Sequence, residues 1–304
     1  VAAVQGNTPT DGLDFNAERR AVLDNHARAT AQLAADVRAG RVPQPDLVLW
    51  PENASDIDPL LNADAARVIS GAVDAVGAPT LVGAVLQGPG EGLTNAGIVW
   101  SPGTGPGQRY AKQRPAPFGE YMPYRSFFRL FTDKVDLVSR DFVPGTSTGV
   151  MSMGGAKVGD IICFEVLFDD LPREAVLAGA DMLVVQTNNA TFGYSHEAVQ
   201  QLAMSRLRAV ETGRSVVQIS TVGVSAFITP DGVAHQRTGL FTSAVLNGQL
   251  PLRSQLTFAV RHGQAVELAL CALGGLLVLA AGRDRRRGAT RRPALRRRAV
   301  AAGR

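Results

Sequence analysis

An α/β fold with helices outside a largely buried sheet, followed by a C-terminal transmembrane helix, is what the sequence predicts, and three observations predict it. Short apolar, β-branched runs alternate with Ala/Leu/Arg-rich helical stretches along the first 260 residues. Gly/Pro-rich pieces separate several of them. Beyond the alternation lies one long apolar run that ends in arginines. In chain order the reading is a strand at Val1–Gln5, a helix over Ala17–Ala39, a strand at Leu47–Trp50 and a helix over Ala63–Val76. Strands follow at Thr80–Val85 and Ala96–Trp100, with Gln87–Gly92 and Ser101–Gln108 as hairpin loops or connectors. The second half gives a strand at Ala156–Ile162, a helix over Pro172–Ala178 and a strand at Met182–Gln186. A helix over His196–Glu211 and strands at Ser215–Ser220 and Val224–Ile228 complete the body. No internal repeat and no linker divides it.

With 304 residues and 45% hydrophobic content the chain can bury a large core, which excludes a disordered protein. The net charge of +4 hides an asymmetry: residues 283–304 hold ten arginines against one aspartate, +9, so the rest is acidic at −5. Ahead of this tail, Ala265–Gly282 carries a single charge, Glu267. Eighteen apolar residues are near the lower limit for crossing a bilayer, and arginines directly after them follow the positive-inside pattern. The expected organisation is a body over 1–260, a transmembrane helix over 264–282 and an Arg-rich cytoplasmic tail over 283–304, with the body on the outer face. The tail's position favours anionic lipid headgroups over nucleic acid. The start, VAAVQGN, reads as a core strand without a signal peptide. A body outside the membrane therefore predicts either an N-terminal part that precedes this chain or a misassigned start.

Chemistry concentrates at strand ends. Cys163, in KVGDIICFEVLF, is one of two cysteines; the other, Cys271, lies in the apolar run, so a structural disulfide is not expected. Taken alone, a free cysteine is most simply a buried core residue. The strand leading into Cys163 and the amphipathic segment after it, with Pro172 and Glu174, instead predict an elbow that could present a nucleophile. Glu52 follows LVLWP, a strand ended by Pro51, and Lys112 sits in RYAKQRPAPFGEY ahead of a proline-rich loop. Singly these are a loop acid and a surface charge. Together the three supply a base, a cation and a thiol: the carboxylate takes the thiol proton, the thiolate attacks a carbonyl, and the ammonium stabilises the oxyanion. The four histidines are scattered, and His196–Glu197 lacks a second histidine at Gln200. With no GxSxG elbow and no phosphate-binding glycine loop, no metal or other cofactor is expected.

The order of Glu52 in LVLWPE, Lys112 before PFGEY and Cys163 in ICFE resembles the Glu-Lys-Cys triad of the nitrilase, or carbon–nitrogen hydrolase, superfamily. The longer stretches PFGEYMPYR and TNNATFGYSHEAVQQLAMSRLRAVETGR resemble the apolipoprotein N-acyltransferase family, particularly its actinobacterial members, and the likeness runs to about residue 282. The resemblance implies a four-layer αββα sandwich facing outward from the plasma membrane. It implies a fatty acyl chain passing from a phospholipid to Cys163 as a thioester, then to the α-amino group of a lipoprotein's diacylglyceryl-cysteine. In that scheme Glu52 is the general base, Lys112 stabilises the oxyanion, and Glu120 and Tyr121 of the FGEY motif and Glu165 support lysine and substrate. Two departures stand out: Phe164 where tyrosine is frequent, and Thr191 of NNATFG where the family's NDAWFG has tryptophan. The family's upstream membrane helices are absent from this sequence.

Tyr121–Phe131 holds five of eighteen aromatics with Arg125 and Arg129 among them, a composition suited to a membrane interface and here expected to form a lid. A nitrilase-type amidohydrolase would use the same triad with water as acceptor, and a degenerate membrane-tethered scaffold would use none of it. The apolar helix and aromatic segment favour the transferase.

Overall fold

The computed structural model describes residues 1–8, 19–132 and 138–290, with side chains to residue 283. The predicted helix start at Ala17 and the arginines beyond residue 290 lie outside the described residues.

Two six-stranded sheets organise the unit Val1–Val260. The first contains β1 (Ala2–Gln5), β2 (Val48–Leu49), β3 (Thr80–Gln87), β4 (Leu93–Ser101), β5 (Gly105–Ala111) and β12 (Ala244–Asn247), in the order β12-β1-β2-β3-β4-β5. The second contains β6 (Val150–Met153), β7 (Ala156–Ile162), β8 (Met182–Thr187), β9 (Ser215–Ser220), β10 (Ala226–Ile228) and β11 (Ala234–His235), in the order β11-β10-β9-β8-β7-β6. β1, β2 and β3 run parallel, as do β7, β8 and β9, and antiparallel strands extend each sheet.

Three apolar layers show how the elements stack. Helices α1 (Arg19–Arg38) and α2 (Ala63–Val76) cover the first sheet, burying Leu23, Leu33, Ile69 and Val73 against Val48, Trp50 and Ile98. Helices α4 (Asp170–Leu177) and α5 (Glu197–Thr212) cover the second, with Leu171, Ala175 and Leu202 against Ile161, Leu183 and Val216. Between the sheets, Leu49, Leu81 and Val99 meet Val158, Ile162, Val184 and Val217. The result is a four-layer αββα sandwich.

Local chemistry explains the helix limits. Asn62 caps α2 by accepting from the amides of Asp64 and Ala65, both at 3.0 Å, and Gly77 closes it with φ of 66°. On α1 the buried Thr30 hydroxyl accepts from the Trp50 indole at 2.9 Å, satisfying that ring's donor. Four strands escape the sequence pattern. β5, GPGQRYA, is Gly/Pro-rich at its start, reads as a connector, and lies at the sheet edge. β6, β11 and β12 are two to four residues long, too short for periodicity to register.

The final helix, α6, runs Phe258–Thr290. Its segment Phe258–Arg283 has mean hydropathy 2.1 over its most apolar window, is long and apolar enough to cross a membrane, and buries none of that window.

Candidate active site

Parallel strands deliver two of the candidate residues at their carboxyl ends, where open α/β sheets place ligands, and the antiparallel edge strand β5 delivers the third. Glu52 follows β2, Lys112 follows β5 and Cys163 follows β7. The Cys163 backbone has φ of 51°, unusual for a residue with a side chain, and begins a short 3₁₀ turn, Cys163–Leu167, before α4. The expected strand–turn–helix elbow is therefore present.

Lys112 is 2% exposed and is gripped by two carboxylates: Nζ is 3.0 Å from Glu52 Oε1 and 2.7 Å from Glu120 Oε2. The Asn95 amide on β4 bridges the same two acids, donating to Glu52 Oε1 and Glu120 Oε1 at 2.8 Å each. The Asn188 amide N–H, just past β8, donates to Glu52 Oε2 at 3.0 Å. The Ala116 amide N–H donates to Glu120 Oε2 at 2.6 Å. Both carboxylates are thus fixed in orientation.

Glu165 has a different task. It is fully buried and accepts four bonds, from the Tyr110 hydroxyl (2.9 Å) and the amides of Gln113 (2.6 Å), Arg114 (3.1 Å) and Ile162 (2.8 Å). It fastens the backbone after Lys112 to the residue preceding Cys163. Burial nonetheless lifts its carboxyl above the usual range against those bonds.

On the thiol side, Gln201 of α5 donates to Cys163 Sγ at 3.5 Å, and Asn189 donates to Gln201 Oε1 at 2.8 Å. Asn189 itself has φ of 63° and accepts from Thr187 and Ser220 hydroxyls at 2.6 and 2.9 Å. Cys163 is partly exposed as a residue, yet burial pushes its thiol up to about 12, with Glu52 adding to the rise and Lys112 opposing it. For Lys112, burial favours the neutral amine, but Glu52, Glu120 and Cys163 outweigh it and hold the group above the ordinary lysine range. Burial and Glu52 thus favour the neutral thiol, while the carboxylates favour the ammonium, so a base must take the thiol proton as the sulfur attacks.

Beside this cluster lies a cavity of about 560 Å³, lined by Gln113, Arg114, Tyr121, Phe142, Phe164 and Phe168 among others. Phe164 and Phe168 stack edge-on at 5.3 Å, and the Arg114 guanidinium lies 4.2 Å over Phe168 while pairing with Asp170. Tyr121 belongs to this wall. Thr191 is exposed in the 3₁₀ turn Ala190–Phe192, whose Ala190 is buried. In the aromatic segment, which contains the single-turn helix α3 (Arg125–Phe128), Phe118, Phe127, Phe128 and Phe131 stack on one another at 5.3–5.5 Å. Tyr124 (83%), Leu130 (77%) and Phe131 (72%) stay exposed.

The carbon–nitrogen hydrolase family model matches residues 1–255. The chain belongs to the carbon–nitrogen hydrolase family. Among relatives, it is 50% identical over 286 residues to an apolipoprotein N-acyltransferase of Mycolicibacterium smegmatis, covering 92% of this chain and 48% of that protein. A Geobacter metallireducens protein of the same name is 31% identical over 289 residues, with coverages of 92% and 53%. The chain therefore spans about half the length of these curated relatives. Among solved structures, an amidase from Nesterenkonia sp. superposes with TM-score 0.55 at 19% identity, covering 80% of this chain and 87% of that one. A mutant of a Nesterenkonia amidase with the acetamide moiety of fluoroacetamide on its active-site cysteine gives TM-score 0.56 at 20% identity, with coverages of 80% and 87%. At such identity these two establish the fold alone.

Within this carbon–nitrogen hydrolase, all six residues singled out from sequence lie in or beside one site. Sequence reasoning missed Asn95, Asn188, Asn189 and Gln201. The two adjacent asparagines stand inside the quoted TNNATFG stretch. Gln201 lies further along the same family-like stretch, whereas Asn95 gave no signal, because an amide on a strand looks ordinary until its partners are known.

Proposed function

We propose that the chain carries the catalytic part of an N-acyltransferase that moves a fatty acyl chain from a phospholipid, through a Cys163 thioester, to the N-terminal amine of diacylglyceryl-modified lipoproteins. The observation carrying this reading is the 50% identity over 92% of the chain to the Mycolicibacterium smegmatis relative of that name.

The geometry supports a chemically complete sequence. Glu52 accepts the thiol proton as Cys163 Sγ attacks the ester carbonyl carbon of the donor. The new C–S bond places negative charge on the carbonyl oxygen, opposite the Lys112 ammonium. Collapse breaks the ester C–O bond, and the departing lysophospholipid oxygen takes the proton from Glu52. In the second half the substrate amine attacks the thioester carbonyl while Glu52 takes its proton. The C–S bond then breaks, and the sulfur recovers that proton as the amide forms. Glu120 and Asn95 hold Lys112 and Glu52 in register throughout, and Glu165 keeps the lysine strand docked on the elbow. The apolar cavity walled by Phe164, Phe168 and Tyr121 receives the acyl chain, within the size range usual for ligand pockets.

The body, residues 1–260, lies at the outer face of the plasma membrane, residues 264–282 cross it, and the tail from 283 faces the cytoplasm. The exposed Tyr124–Phe131 segment rests on the lipid surface as a lid. An exposed apolar helix and an exposed aromatic segment favour a lipid donor over the small amides of a soluble amidohydrolase, the second reading with the same triad and water as acceptor.

The test is intact-protein mass spectrometry on the membrane-reconstituted protein incubated with phospholipid. The expected result is a hydroxylamine-labile gain of one acyl group on Cys163, discharged by a diacylated lipopeptide amine. Discharge by water alone at the same rate would favour the hydrolase, and no adduct would overturn the transferase.

A further inference from the structure

Between the sheets, in a layer otherwise filled by Val158, Ile162, Val184 and Leu81, stands a carboxyl group. Asp160 of β7 is fully buried, and neither of its side-chain oxygens has a hydrogen-bond partner. The Oε1 of the fully buried Gln186 on β8 is also unpaired. Both occupy the same gap, made by Gly97 of β4: a methyl group there would overlap Asp160 Oδ2 and come within 2.9 Å of Gln186 Oε1. Two buried acceptors facing one small space, with no donor for either, is costly when both are only acceptors. The conflict disappears if one carries a proton, and a carboxylic acid can while an amide oxygen cannot.

The other end of the amide shows what this arrangement does. Gln186 Nε2 donates to the Trp50 carbonyl at 2.6 Å, immediately ahead of the Pro51–Glu52 turn. Asp160 lies three residues before Cys163 on the strand that delivers it. A line Asp160–Gln186–Trp50 therefore crosses from the nucleophile's strand to the base's turn through the sandwich interior.

We infer that Asp160 is a positioning residue, held as a neutral carboxylic acid that donates to Gln186 Oε1 and so registers the Glu52 turn against the strand carrying Cys163. This rests on Glu52 acting as base for the Cys163 thiol. Burial, the largest influence, holds the carboxyl well above its ordinary range, and Glu165 and Glu52, the acids facing Asp160, disfavour a further negative charge there.

The experiment is iodoacetamide alkylation of Cys163, which needs neither phospholipid nor lipoprotein, so failure of the acyl-transfer reading leaves it interpretable. Asp160→Ala removes the donor and is expected to slow alkylation at least tenfold. Asp160→Asn restores a neutral donor of the same shape and is expected to retain at least a third of the native rate. Native-like alkylation in Asp160→Ala would overturn the inference, and so would Asp160→Asn as slow as the alanine variant. Should Asp160→Ala fail to fold, two further readouts decide. The native infrared spectrum at neutral pH should show a protonated-carboxyl C=O band that Asp160→Asn lacks. Because the folded state keeps a proton that the unfolded chain loses above 3.8, native stability should fall relative to Asp160→Asn as pH rises. Absence of the band, or a pH-independent difference, would refute the protonated acid.

Discussion

Gly83 of β3 pairs directly with Gly97 of β4, and the two bare positions open one slot on the inner face of the first sheet. On the Gly83 side the Pro51–Glu52 turn fills it. A Cβ on Gly83 would overlap the Pro51 carbonyl oxygen and stand 2.8 Å from Glu52 Cα, where ordinary contact begins at 3.4 Å. Gly83→Ala must therefore displace the backbone of Glu52 by about 0.6 Å, and the obstructing atoms are main chain, which cannot rotate away. Overpacking of this kind costs about 1–3 kcal/mol. Misplacing a reacting group by about 1 Å can cost roughly 10²-fold in rate, so a shift of this size should slow acylation of Cys163 on the order of tenfold. Urea unfolding measures the first effect and the single-turnover acylation rate the second. Gly71→Ala in α2, where nothing lies within 4 Å, is the control and should stabilise the helix by about 0.5–1 kcal/mol. Gly83→Ala with native stability and native rate would refute the close-approach argument.

Lys112→Met leaves the buried Glu52 and the half-buried Glu120 without their cation and should destabilise the fold by about 3–5 kcal/mol while abolishing acylation; a small change in urea midpoint would count against the buried ion-pair reading. With the thiol pushed up to about 12, iodoacetamide labelling of Cys163 should keep rising through pH 10, and a plateau near pH 9 would contradict it. His26 is fully buried, and burial depresses it from 6.5 to about 4, so the unfolded chain takes up a proton first as pH falls. Its contribution is fully present above pH 6.5 and is lost by about 3 kcal/mol towards pH 4, so the native protein's stability advantage over His26→Gln should shrink in that window. Phe127→Ser with Phe128→Ser should weaken turnover of phospholipid vesicles but leave alkylation of Cys163 native; unchanged lipid turnover would remove the lid from the mechanism.

Much of the scaffold was legible because buried parallel strands are apolar throughout. Met182–Gln186 and Ser215–Ser220 could be delimited to within a residue for that reason. The helices were readable from their Ala/Leu/Arg-rich stretches. What escaped depends on distant partners. β12 exists because β1 offers an open edge about 240 residues away, and nothing within AVLN announces it. The triad was legible as unusual residue types at strand ends, and the resemblance joined them. The amides that orient it were not, since Asn95 becomes informative only when Glu52 and Glu120 arrive on either side of it. Glycine at 83 and 97 carried no message in the sequence and proves to be the room into which turn and acid fit.

The grip of two carboxylates on one ammonium has an electrical consequence. During the proposed turnover the proton shuttles among Cys163, Glu52 and the departing or entering group, and the negative charge moves from a carboxylate to an oxyanion facing the same Lys112. The summed charge of the enclosed cluster is the same at each stage of both half-reactions. No sodium or chloride ion has to follow the chemistry in or out. A site of this kind can work while capped by hydrocarbon, where small ions have no hydration and cannot compensate a change of charge.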